Sequence, residues 1–158
     1  MVKKVFAFLL AASMLFTLTG CSDLVGGLTF LAMVLMSDDS ADKDDVFAFV
    51  QENEAALLKA IEDKDFSAYE NKGFIKKIDC DIQVVDFSCG GAGVGSGTSY
   101  VGFFYTAADD MAAVWCAPYS EASLEPSGSG FAWQEENGDN RYYTEHICGH
   151  FYYYEASF

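Results

Sequence analysis

The hydrophobic residues of this chain change period at Gly73, and that change constrains the fold more than any other feature. Before it, VFAFVQENEAALLKAIEDKDF sets Val46, Phe47, Val50, Leu57, Leu58 and Ile61 at helical spacing, with Asn53 and Glu54 interrupting the stripe. Asp44 or Asp45 stands where a side chain accepts from the first free amides, so the spacing predicts a helix over about 45–64. After Gly73 the pattern alternates. Strands are expected over 74–78, 82–87, 100–105, 112–116, 131–134, 141–148 and 151–157, between the turn signals ADD, PSGSG, ENGDN and GH. Strands joined by short turns run antiparallel. The fold class is therefore α+β, one N-terminal helix packed on an antiparallel β-meander of about 5–7 strands.

The stretch CGGAGVGSGTS, residues 89–99, carries five glycines between Gly90 and Gly97. A phosphate cradle needs a strand before it and a helix after it, because the helix N-terminus supplies the amides. Here TSYVGFFYT follows, which has strand composition. No GxGxxG can be drawn through these glycines, and Ser96 stands where the P-loop spacing demands lysine. The segment reads as a connection between two strands, and on a rigid hairpin such a loop also suits ligand contact.

The N-terminus settles a different question. MVKK precedes the apolar run VFAFLLAASMLFTL and the small-residue region TGCSD, the layout of a secretory signal. Leu18-Thr19-Gly20-Cys21 resembles the lipobox of bacterial lipoproteins. That resemblance covers the first 23 residues and implies removal of residues 1–20, lipidation of Cys21, and residence on the extracytoplasmic face of a bacterial membrane. Two acyl chains anchor stably where one is marginal. Leu24 to Met36 is apolar throughout, too short as a helix to cross a bilayer, and reads as an interfacial or packed segment. With SDDSADKDD it fills 21–45 as anchor and acidic tether; the acids lack the glycine and glutamate of a calcium loop. The globular domain is assigned to 46–158. Its segments CGGAGVGSGTSYVGFFYT and HFYYYEASF resemble those of small extracytoplasmic proteins of Firmicutes, a likeness that implies a secreted or anchored domain and no particular activity.

Composition narrows the partners. The net charge is −15, and loss of Lys3 and Lys4 with the signal makes it more negative. Arg141 is the only Lys or Arg after Lys77, so there is no basic stripe for nucleic acid or anionic lipid headgroups. With Cys21 lipidated, Cys80, Cys89, Cys116 and Cys148 remain, and an even number in an oxidising compartment suggests two disulfides in one of three pairings.

The aromatic residues carry the main functional reading. Tyr142, Tyr143, Tyr152, Tyr153 and Tyr154 crowd one hairpin, with Trp133 nearby. Alternation sends about half of them to the face away from the helix. An antiparallel sheet can leave that face wet, where Tyr and Trp serve a protein or a cell-wall glycan. The alternative assignment is cross-strand packing. His146, Cys148 and His150 sit at i, i+2 and i+4, and on one continuous strand face they would suit a metal or a thiol nucleophile. The turn at Gly149-His150 and the need to pair Cys148 argue against both. Asp109-Asp110 and Glu135-Glu136 are paired acids in turns, without the cleft a glycosidase needs. The sequence thus points to a binding protein without cofactor or resident metal, not to an enzyme. The alternative is a small metal protein or enzyme built on the His146, Cys148, His150 cluster.

Overall fold

A computed structural model describes residues 41–92, 97–118 and 120–158. The signal, Cys21, the apolar segment 24–36 and the centre of the glycine loop lie outside the described residues. The first element among the described residues is α1, Lys43–Asp63, a helix that is not at the N-terminus of the chain. It starts inside the stretch assigned to the tether, and its cap is neither Asp44 nor Asp45. Asp42 takes that position, its carboxylate accepting from the Asp44 amide at 2.9 Å. The acids at 44 and 45 instead occupy the first turn, where the helix dipole favours them.

Seven strands follow: β1 Lys77–Cys80, β2 Val84–Ala92, β3 Ser99–Thr106, β4 Glu125–Ser127, β5 Gly130–Gln134, β6 Arg141–Cys148 and β7 Phe151–Ser157. All pairings are antiparallel, in the order β1-β2-β3-β7-β6-β5-β4. The helix packs on this sheet. The sheet is two meanders, not one. β1–β3 and β4–β7 meet where β3 pairs with β7, so the chain leaving the middle of the sheet at β3 must reach its far edge at β4. The connection 107–124 makes that passage. It holds no strand at 112–116, where alternation had suggested one, and it ends in a single 3₁₀ turn at Glu121–Ser123.

Two cores result. Val46, Val50 and Leu57 of α1 meet Val85, Phe87, Phe103, Phe151 and Tyr153 on one sheet face. Phe87 and Phe103 stack there with centroids 4.5 Å apart. Each such side chain, fully buried, contributes about 1.5–3 kcal/mol. Asn53 bonds back to the Phe49 carbonyl at 2.8 Å, which explains one break in the helical stripe. On the opposite face, Met111, Val114, Cys116 and Leu124 of the connection pack on Phe104, Tyr142, Tyr152, Tyr154 and Ala156. β7 is thus apolar on both faces, as a central strand covered on both sides must be. Among the described residues no helix is long and apolar enough to cross a membrane.

Candidate functional site

Alternation divides the tyrosines as expected: Tyr142, Tyr152 and Tyr154 face away from the helix, while Tyr143 and Tyr153 face it. Their exposure differs from expectation. Tyr153 is buried under the helix, and Tyr142, Tyr152 and Tyr154 are buried because the 107–124 connection lies across the face that alternation left open. Two of these tyrosines and His150 latch that connection. The Tyr142 hydroxyl donates to the Met111 carbonyl at 2.8 Å, the Tyr152 hydroxyl to Asp109 at 2.9 Å, and His150 Nδ1 lies 2.9 Å from the same Asp109 oxygen. The Tyr152 hydrogen bond, ahead of His150, lowers the Asp109 pKa; burial and the carboxylate push Tyr152 up to about 12. Of the proposed face, Tyr143 and Trp133 stay partly exposed.

His146, Cys148 and His150 do not share a face. A bulge between His146 and Cys148 inserts one extra residue. His146 therefore stays opposite Tyr152 on the connection side, where its ring meets Tyr152 edge-on at 5.3 Å. Cys148 pairs with Phe151 and turns to the helix side. Burial and the Glu54 carboxylate raise its thiol pKa, the opposite of what a nucleophile requires. His150 belongs to the turn and to Asp109. The structure joins none of the four described cysteines in a disulfide. Cys89 is buried under the helix, Cys116 is buried where the connection packs on the opposite face, and Cys80 is exposed on edge strand β1. The sheet itself separates Cys89 from Cys116. The flanks of the glycine segment pair as a hairpin, Ala92 opposite Ser99. Gly91 is required there, since a Cβ would fall 2.3 Å from the Ser99 carbonyl oxygen.

A groove of about 990 Å³ runs past the ends of β3, β5, β6 and β7. Tyr100, Trp133 and Ala156 line it from the connection face, and Lys43, Tyr143 and Glu155 from the helix face. Beside it, Tyr100 meets Trp115 edge-on at 5.1 Å and Phe158 at 6.2 Å, with Trp115 and Phe158 at 6.3 Å. Trp115 is 60% exposed, yet its indole N–H donates to Asp86 at 3.0 Å. Asp86 is only 5% exposed and also accepts from the Tyr154 hydroxyl at 3.0 Å. Burial raises its pKa to about 6, against the lowering effect of those two donors. A buried carboxylate thus fixes the orientation of an exposed aromatic ring.

At the other end of the groove the Lys43 ammonium lies 4.9 Å from the Tyr143 ring centroid, 5.5 Å from Phe47 and 5.7 Å from Tyr153. It bonds the Glu145 carboxylate and the Tyr143 hydroxyl. Burial pulls the lysine pKa down, but these bonds prevail and it is raised; on Glu145 burial is outweighed by hydrogen bonds from Lys43, Tyr143 and Ser129, and its pKa is lowered. The Tyr153 hydroxyl donates to Glu155 at 2.7 Å.

Sequence reasoning counted Trp115 and Phe158 among the aromatics of the sheet half, but missed Asp86, Tyr100 and Lys43 and the grouping of these residues. One signal was present: Asp86 interrupts the apolar run VVDF at a position facing away from the helix. It reads as solvated unless something covers that face. No protein-family model, curated protein or solved structure matches this chain.

Proposed function

We propose that this protein is a lipid-anchored extracytoplasmic binding protein of a bacterial membrane. Cys21 tethers it, and its α+β domain presents an aromatic groove to a protein or cell-wall glycan. The reading differs from the sequence-level one in its surface: the ligand meets Tyr100 and Trp133 of the groove and the Trp115 and Phe158 rings that adjoin Tyr100 at its mouth, not an open tyrosine face. The observation that carries it is Trp115. A large aromatic ring held in the open by a buried carboxylate is pre-organised, so little conformational entropy is lost when a ligand stacks on it. Binding is favoured over catalysis because burial raises the pKa of every described thiol, and the histidines serve turn and latch contacts.

Two experiments test the two halves. Metabolic labelling with a palmitate analogue should mark the wild type and fail on Cys21→Ser; equal labelling would end the anchor assignment. Binding to purified cell wall and to crosslinked surface proteins should fall at least tenfold for Trp115→Ala and for Tyr100→Ala, with unchanged circular dichroism. Undiminished binding by both variants would refute the groove mouth.

A further inference from the structure

We infer that the helix-side end of the groove is a recognition site for a primary alkylammonium group, and that Lys43 is its built-in occupant. The inference rests on the binding reading above and names the chemistry of one part of that groove. Phe47, Tyr143 and Tyr153 surround a single ammonium within 6 Å of three ring centroids, the range in which ring quadrupoles attract a cation. Phe47 and Tyr153 brace each other at 5.9 Å, and Tyr153 is almost fully buried, so the cage is rigid. Carboxylates complete it. Glu145 takes the ammonium directly, while Glu155 accepts from the Tyr153 hydroxyl and thereby enriches that ring in electron density.

The occupant is poorly placed on its own element. Lys43 is the first residue of α1, where the helix dipole disfavours a cation, and its side chain remains about a third exposed. The groove is lined by three carboxylates, Asp42, Glu125 and Glu155, and Glu145 bonds Lys43 directly, against two cations, Lys43 and Arg141. The surroundings therefore favour positive charge beyond what the chain supplies. An incoming ammonium reproduces every contact Lys43 makes, and Lys43 is free to swing to solvent as it leaves. The tethered lysine competes at an effective concentration in the millimolar range, which sets a threshold for any ligand.

The test removes the occupant and supplies it from solution. Lys43→Ala, and Lys43→Met should the alanine variant fold poorly, are titrated with n-butylammonium while the Tyr143 and Tyr153 ring resonances are followed by NMR. Saturable binding is expected, roughly fivefold or more tighter than to wild type, absent with n-butanol, and lost on adding Tyr143→Leu. Equal response to butanol, or binding that survives Tyr143→Leu, overturns the inference. N-acetyl-lysine amide distinguishes the source: binding as tight as that of butylammonium assigns a lysine side chain of a partner, and much weaker binding assigns a small free amine. If the cage fails while Trp115→Ala still abolishes ligand capture, this inference alone falls. If the cage binds and Trp115→Ala changes nothing, the groove-mouth reading falls instead.

Discussion

Replacing Asp86 with asparagine should remove a pH dependence that the buried carboxylate imposes on folding. In the folded protein burial raises the Asp86 pKa to about 6, with Asp79 adding to the rise and Tyr154, Trp115 and Lys77 opposing it. In the unfolded chain the group returns to its ordinary 3.8. Between those values the folded state holds a proton that the unfolded state has released, so stability falls as pH rises through this window and levels above it. A shift of about two units at about 1.4 kcal/mol each amounts to roughly 3 kcal/mol lost between about pH 4 and pH 7. Asparagine keeps the shape and one acceptor oxygen but cannot ionise. Urea unfolding of both proteins, followed by tryptophan fluorescence at steps from pH 4 to pH 8, isolates the group, because subtraction cancels every other titration. The stability of Asp86→Asn relative to wild type should climb by about 3 kcal/mol across that window. A flat difference would refute the reasoning, since it would mean that Asp86 titrates alike in both states. Asp86→Ala supplies a second arm. It strands the buried Tyr154 hydroxyl without an acceptor, which costs about 1–3 kcal/mol, and it should lie below the asparagine variant at every pH.

Three further outcomes are expected. Leu57→Ala empties a fully buried site between helix and sheet and should lower unfolding free energy by about 2–5 kcal/mol in urea; a loss under 1 kcal/mol would mean that the helix docks less tightly than its contacts imply. At Gly130 a methyl group would fall 2.2 Å from the Thr144 carbonyl oxygen and 2.8 Å from the Tyr143 hydroxyl, so Gly130→Ala should destabilise by about 1–3 kcal/mol and shift the Tyr143 ring resonances, whereas wild-type stability would contradict the β5–β6 register. Asp109→Ala deletes the acceptor shared by Tyr152 and His150. Proteolytic cleavage within 107–124 should then become several-fold faster by mass spectrometry, and an unchanged cleavage rate would remove the latch assignment.

Local pattern alone determined much of this protein. The period change near Gly73, the helix within two residues at its start, and strands β6 and β7 at their observed limits follow from side-chain spacing, because 3.6 and 2 are properties of the backbone. The inward and outward assignment of each tyrosine follows in the same way. What spacing leaves undetermined is what lies across a face. That depends on which strands become neighbours, and the pairing of β3 with β7 is a contact between residues some fifty positions apart. Once that pairing forms, the chain after β3 has to reach the far edge of the sheet, and its path over the second face buries Tyr142, Tyr152 and Tyr154, encloses Asp86 and leaves Trp115 outside. The bulge before Cys148 is equally non-local, since one inserted residue only has meaning against a partner strand, and it is this residue that parts His146 from Cys148. Alternation determined the direction of each side chain; the topology decided whether water, a partner or the chain itself would meet it.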